Sequence, residues 1–251
     1  MAPFVPPMLV RLPPADCAID LNHGTVGVTP NEVLAAQWAI KQRIEAHPAR
    51  FMLRELKAGL RGAADRVADH LGGSGEDYIF TDNATTGINA VLRSAALRPG
   101  DEVLVTDHTY GAVANAARYA CEQAGANLVT VVIPFPIDGD AAAMTAIEGG
   151  LSEHTRIAIL DHITSETGIV LPLADLVDLC HDAGAQVLVD GAHAPGTIEL
   201  DIPNLGAEWY AANLHKWLFA PRGCGVLWAR EDVQPDLHPA VISWRLGEGY
   251  T

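Results

Sequence analysis

The sequence is poor in positive charge: its 251 residues carry 16 Lys and Arg against 31 Asp and Glu, a formal net charge of −15. Nucleic acids and anionic membrane surfaces are bound by clustered Lys and Arg, so neither is an expected partner. No apolar run is long enough to span a bilayer, and residues 1–14 lack the basic start and apolar block of a signal peptide. We therefore expect a soluble, cytoplasmic protein.

Metal-binding and redox motifs are also missing. The four cysteines form no Cys-x-x-Cys pair, and the ten histidines include no His-Glu-x-x-His. We therefore expect isolated thiols and no metal site. Asp190 and His193 are three residues apart, but two ligands without a third are weak evidence for a metal.

The sequence does contain an alternation of short apolar strands with helical patterns. Several strands are continuous Val/Ile/Leu runs, which is typical of strands buried on both faces. This order predicts an α/β fold with a mostly parallel seven-stranded sheet flanked by helices. The predicted strands are Tyr78–Thr81, Glu102–Thr106, Leu128–Ile133, Ile157–Asp161, Gln186–Asp190, Trp209–Ala212 and Gly225–Trp228.

Two predicted helices precede the first strand. Thr29–Glu32 has the pattern of a capping box with Pro30 at the first helical position. The second helix is predicted to carry a stripe of Leu and Val that begins at Leu53. The Pro-rich residues 1–20 are predicted to form an N-terminal tail or arm, and residues 21–251 a single ligand-binding domain.

Polar and ionisable residues follow five of the predicted strands. Ligands of open α/β sheets lie outside the carboxyl ends of the strands, so these segments are the candidate site. They are Thr81–Gly87, Thr106–Tyr110, Asp161–Ser165, Asp190–His193 and Asn213–Trp217.

Three of these segments have a chemical use that can be derived from the residues. Asn83–Thr86 opens a helix, where free N–H groups and hydroxyls favour an anion, although an ordinary N-cap has the same pattern. Asp190 ends an apolar strand, where a carboxylate needs a cation or a donor. Lys216, one of only three lysines, lies in an apolar run, where desolvation favours the neutral, nucleophilic amine.

An anion site, a buried carboxylate and a buried lysine together match the phosphate, the ring nitrogen and the aldehyde of pyridoxal phosphate (PLP). The weaker alternative is a doubly wound nucleotide-binding domain. Neither Gly-x-Gly-x-x-Gly after a strand nor Gly-x-x-x-x-Gly-Lys occurs, which argues against it.

The sequence resembles the class V aminotransferase family of fold-type I PLP enzymes, in particular its isopenicillin N epimerase-like branch. Three segments carry the resemblance: Leu21–Gly27, Asp190–Gly196 and Asn213–Trp217. By this resemblance Lys216 is the Schiff-base lysine, Asp190 pairs with the ring nitrogen, and His193 reaches the phenolic oxygen of the cofactor. These three are the expected catalytic residues.

The same resemblance implies the remaining site residues. Ala84 and Thr85 match the phosphate-binding pair, Asn213 also serves the phosphate, and His215 precedes the lysine as in many members. Tyr110 is preferred to His108 as the residue that stacks on the ring, and Ser165 lies where relatives place Asn near the phenolic oxygen. Asn22 and His23 are expected to bind the substrate.

The chain is shorter than the family pattern. Family members continue into a C-terminal small domain that supplies an arginine for the substrate carboxylate, so we expect a large domain truncated before that point. The resemblance also implies a homodimer. A chain of this kind is expected to be a weak catalyst.

The resemblance implies an amino-acid substrate and leaves the reaction open. Epimerisation at Cα and transamination are the first expectations, and cysteine desulfuration or C–S lysis is the alternative. A non-catalytic PLP-binding fragment or pseudoenzyme is the other alternative, because the small domain is absent from the pattern.

Overall fold

The computed structural model describes residues 21–243. The predicted N-terminal tail, residues 1–20, lies outside the described residues. Among residues 21–243, no helix has both the length and the apolar character needed to cross a membrane. No cluster of three or more His, Cys, Asp or Glu suitable for a metal occurs among them either.

All seven predicted strands are present and form one sheet, with bounds that differ from the predicted ones by at most two residues at either end. The strand order is β1-β7-β6-β5-β4-β2-β3. β7 is antiparallel to both neighbours, whereas β6, β5, β4, β2 and β3 run parallel. The strands are β1 Tyr78–Thr81, β2 Glu102–Thr106, β3 Asn127–Val131, β4 Thr155–Asp161, β5 Gln186–Asp190, β6 Trp209–Asn213 and β7 Gly225–Ala229.

Helices cover both faces of the sheet. The α-helices are α1 His23–Val26, α2 Asn31–Ala46, α3 Pro48–Arg50, α4 Leu56–Leu71, α5 Ala84–Ser94, α6 Gly111–Ala124, α7 Asp140–Gly150 and α8 Leu173–Asp182. A π-helical turn, Phe51–Glu55, joins α3 to α4, and 3₁₀ turns cover Gly75–Asp77, Ile202–Leu205 and Glu231–Asp236.

Two hydrophobic cores lie on opposite faces of the sheet, because successive strand residues point to opposite sides. Val187 and Val189 of β5 face the core that α4, α7 and α8 cover. Leu188, between them, faces the core that α5 and α6 cover. The continuous apolar strands of the sequence are therefore explained by burial on both faces.

The two expectations for the segment before β1 are wrong in detail. The residue before α2 is Pro30, and no side chain caps this helix. Leu53 does not join an apolar stripe, since its side chain is 84% exposed and it lies in the π-helical turn. The buried residues of α4 are Ala64, Ala68 and Leu71, so only the C-terminal half of this helix is buried.

The topology brings the candidate segments together. In parallel strands the carboxyl ends share one edge, so the residues that end β4, β5 and β6 are neighbours there. Asp161 is the register partner of Asp190, and Asp190 that of Ala211. Just beyond, Gly191 packs against the ring of Tyr210, whose hydroxyl lies 2.8 Å from His162 Nδ1.

This close approach predicts that Gly191→Ala destabilises the fold. A Cβ at Gly191 would overlap the Tyr210 ring, which is fully buried and cannot move aside. We expect a loss of about 1–3 kcal/mol in the free energy of unfolding, measured by urea denaturation. The matched control is Gly149→Ala in α7, where a Cβ meets nothing within 4 Å and helix propensity favours Ala. Equal stability of the Gly191 variant and wild type would contradict the packing.

Candidate functional site

A cavity of about 760 Å³ opens at the carboxyl edge of the sheet. Ten of the eleven predicted site residues line it, and His23 is the exception. The ten are Asn22, Ala84, Thr85, Tyr110, Ser165, Asp190, His193, Asn213, His215 and Lys216.

Lys216 lies in the turn that follows β6. The turn is fixed by backbone hydrogen bonds from the N–H groups of Leu214 and His215 to the carbonyl of Cys224. The side chain is half-buried, and burial lowers the pKa of the ammonium against the opposing attraction of Asp190. Its Nζ lies 3.0 Å from His193 Nε2, so the amine is desolvated but not isolated.

His193 stands between Lys216 and Trp217. The Trp217 indole donates a hydrogen bond from Nε1 to His193 Nδ1 at 3.2 Å. Burial and the neighbouring Lys216 lower the pKa of His193 to about 4, so the imidazole is neutral at neutral pH. The backbone of Gly24 lies against both rings, since a Cβ there would be 2.8 Å from His193 and 2.9 Å from Trp217.

Two buried carboxyl groups lie side by side at the end of β4 and β5. Asp190 accepts one hydrogen bond from the N–H of Ala192 at 3.0 Å. Burial raises the pKa of Asp190, and burial together with Asp190 raises that of Asp161 to about 8. Within residues 21–243, Asp161 Oδ2 has no hydrogen-bond partner. The pair thus needs a cation or a donor from a ligand.

Asp161 belongs to one of the candidate segments predicted from the sequence, but it was assigned no role of its own. The signal that could have found it is its position, because it ends β4 as Asp190 ends β5. Arg93 was also missed: it lines the cavity from α5, two turns beyond Thr86 on the same side of the helix.

The start of α5 forms the opposite wall of the cavity. The Asn83 side chain caps the helix by accepting from the Thr86 N–H at 2.9 Å. The Ala84 N–H donates to Asn213 Oδ1 at 2.9 Å, which ties the end of β6 to this helix. The Thr85 N–H has no protein partner in the described part of the chain, and Thr85 lines the cavity. An anion is favoured at such a helix start.

The remaining predicted residues divide into those at the cavity and those that pack elsewhere. Tyr110 is half-exposed at the cavity, whereas the His108 ring is held by Thr167 Oγ1 at 2.9 Å and the Ile133 carbonyl at 3.1 Å. His23 packs edge-on against Phe219, with ring centroids 4.8 Å apart. His215 Nδ1 lies 2.8 Å from the carbonyl oxygen and 3.3 Å from the backbone nitrogen of Cys224, and these contacts orient its ring.

These groups fit pyridoxal phosphate. The unpartnered Thr85 N–H at a helix start suits the phosphate. The buried carboxyl pair, with the free Oδ2 of Asp161, suits a protonated ring nitrogen, and the half-buried Lys216 amine suits the aldehyde.

Comparison with known proteins gives the same assignment. The sequence model of the family described as aminotransferase class-V matches residues 27–246. An L-cysteine desulfhydrase of Arabidopsis thaliana is 29% identical over 245 residues, 91% of this chain and 54% of that protein. An isopenicillin N epimerase of Amycolatopsis lactamdurans is 33% identical over 238 residues, 94% of this chain and 59% of that protein.

Solved structures of the cystine C–S lyase C-DES have the same fold. The match has a TM-score of 0.80 and 29% identity, and it covers 89% of this chain and 60% of that one. One of these structures is a lysine-to-alanine mutant with glycine covalently linked to the PLP cofactor. The chain therefore spans about half to 60% of the length of these relatives.

The carboxyl pair predicts a pH-dependent gain in stability for Asp161→Asn in the cofactor-free protein. The pKa of Asp161 is raised from 3.8 to about 8, so the folded state binds a proton that the unfolded state releases above about pH 4. Wild-type stability therefore falls between about pH 4 and pH 8, by up to about 1.4 kcal/mol per pH unit from this group.

The amide side chain of the Asp161→Asn variant does not titrate, so the variant should be increasingly more stable than wild type across that interval. The measurement is urea denaturation at several pH values. Asp101→Asn, on a partly exposed Asp already paired with Arg156, is the control. A stability difference for Asp161→Asn that stays constant from pH 4 to pH 8 would show that Asp161 is ionised in the fold.

Proposed function

The chain belongs to the aminotransferase class-V family, and on that premise we propose that it uses PLP to remove the Cα proton of an amino acid. The observation that supports this most is the desolvated Lys216 amine next to a neutral His193, at the edge where two buried carboxyl groups meet. We further propose that residues 21–251 form the cofactor-binding large domain of the family, and that the protein is cytoplasmic.

Three walls of the cavity would hold the cofactor. The start of α5, through Thr85, would take the phosphate, Asp190 the ring nitrogen, and Lys216 the aldehyde carbon. When bound, PLP acts as an electron sink for the amino acid attached to it. Asp190 would hold positive charge at the ring nitrogen, because a buried carboxylate is stabilised by a cationic partner.

The chain's own bases would take the proton from Cα. Lys216 would be the general base, because burial lowers the pKa of its amine toward the useful range. His193 stays 3.0 Å from that amine and can hold it in position. The half-exposed Tyr110 would cover one face of the ring.

We propose C–S cleavage of cysteine as the first outcome, because desulfhydrases and a C–S lyase are among the relatives. After the Cα proton leaves, the C–S bond breaks, sulfide departs, and hydrolysis gives pyruvate and ammonia. Epimerisation is the second candidate, supported by the isopenicillin N epimerases. There the proton returns to the opposite face of Cα.

We also propose a homodimer. Large apolar side chains of α2 and the following turn are exposed, among them Trp38 at 61% and Met52 at 53%. Such a surface is typical of an interface with another chain.

The function is tested with L-cysteine and PLP in deuterated water. Sulfide with pyruvate indicates C–S cleavage, and deuterium at Cα with loss of chirality indicates epimerisation. A 2-oxo acid without sulfide indicates transamination, the other outcome expected from the sequence. Lys216→Ala should abolish every one of these signals, whereas Lys57→Ala, a surface change in α4, should not. If the wild type exchanges no Cα proton with L-cysteine or other amino acids, the proposal is wrong.

Asp190→Asn separates chemistry from binding. An amide cannot keep the ring nitrogen protonated, but the phosphate and aldehyde contacts remain. We expect at least about a hundredfold loss in Cα exchange, since electrostatic stabilisation of this kind is worth several kcal/mol. Binding of PLP, followed by its absorbance, should weaken much less. Unchanged exchange in Asp190→Asn would make Asp190 a purely structural carboxylate.

A further inference from the structure

The Trp217 indole nitrogen determines where His193 and Lys216 carry their protons. An indole N–H can only donate, so His193 Nδ1, 3.2 Å away, must be an acceptor and carry no proton. In the neutral ring the proton is then on Nε2. That nitrogen lies 3.0 Å from Lys216 Nζ, so it is the donor in this second hydrogen bond.

Lys216 can accept that hydrogen bond only as a free amine, because an ammonium has no lone pair. We propose that Trp217 is a positioning residue that holds His193 in its Nε2–H form and thereby holds Lys216 as the neutral, nucleophilic amine. The use of the neutral amine rests on the proposed function, whereas the two hydrogen bonds do not. With the cofactor bound to Lys216, the same Nε2–H would donate to the phenolic oxygen of the cofactor.

The surroundings support this arrangement. Burial lowers the pKa of both His193 and Lys216, so neither group favours its cation. Among the described residues, the titratable groups shown to act on Lys216 are Asp190 from β5 and His193 from the loop after it. Asp190 favours the ammonium, and burial together with the hydrogen bond from His193 opposes it. Asp161 lies one strand further away.

Gly24 holds the two rings in contact. A Cβ at Gly24 would come within 3 Å of both His193 and Trp217, so only glycine lets this backbone close over them. Gly24 directly follows Asn22 and His23, which the family resemblance assigns to substrate binding, so this segment also supports the hydrogen bonds between Trp217, His193 and Lys216.

The first test reads the tautomer directly in the cofactor-free full chain. Histidine is labelled with ¹⁵N, and the His193 signals are assigned by their loss in His193→Gln. We expect an unprotonated Nδ1 and a protonated Nε2 at neutral pH, and a shift of the proton toward Nδ1 in Trp217→Phe. A protonated Nδ1 in the wild type would overturn the proposal, whether or not the protein binds PLP.

The second test measures the rate of covalent capture of PLP, by absorbance and by mass after borohydride reduction. Without the indole donor, His193 can accept from a Lys216 ammonium and stabilise it. Capture by Trp217→Phe should be about tenfold slower at pH 7, because a hydrogen bond to a charged group shifts a pKa by about one unit or more. The two rates should converge at high pH, where both amines are neutral.

Trp209→Phe is the matched control, since the Trp209 Nε1 is buried without a partner in the described residues. It should capture PLP at the wild-type rate. Gly24→Ala should slow capture in the same pH-dependent way as Trp217→Phe. It replaces Trp217→Phe in the test if that variant does not fold. Equal slowing at every pH would mean a merely structural role for Trp217 and overturn the proposal, as would no slowing. Absence of capture in the wild type would contradict the proposed function, and the tautomer measurement would still decide the role of Trp217.

Discussion

The site depends on the exclusion of water from ionisable groups at the carboxyl edge of the sheet. Asp161, Asp190 and Lys216 are held there with few hydrogen-bond partners of their own, and each has a pKa displaced toward its neutral form. The buried carboxyl groups, the Lys216 amine and the free N–H groups at the start of α5 therefore favour a ligand that pairs with each of them. A ligand with a cationic ring nitrogen, an aldehyde and a phosphate does so. The fold supplies that exclusion because the central strands β4, β5 and β6, which end at the site, are buried along almost their whole length.

The sequence predicted the sheet well because burial on both faces leaves a plain signal. The runs that form β4 and β5 are continuously apolar, and polar residues follow each of them at the edge where ligands bind. Lys216 was found because an amine in an apolar run is improbable on a surface. The family resemblance then supplied roles that residue patterns could not, such as the choice of Tyr110 over His108.

Other features depend on three-dimensional neighbours and were out of reach. The stripe expected at Leu53 failed because a π-helical turn rotates that residue out of register with α4. The position of Asp161 at the end of β4 is visible in the sequence, but its raised pKa depends in part on its register partner Asp190 on the next strand. Trp217 reads as one more apolar residue beside Lys216 until its indole nitrogen is seen to meet His193. Side-chain contacts across strands and turns leave no periodic signal in the sequence, so sequence patterns do not predict them.

The central claim is that Lys216 is the residue that binds the aldehyde of PLP. The most direct measurement is reduction of the PLP-treated full chain with borohydride, followed by proteolysis and mass spectrometry of the three lysine-containing peptides. The account predicts a single label, on Lys216, since burial lowers its pKa and Lys41 and Lys57 lie on exposed helix surface. A label on Lys41 or Lys57 with Lys216 unmodified would contradict it.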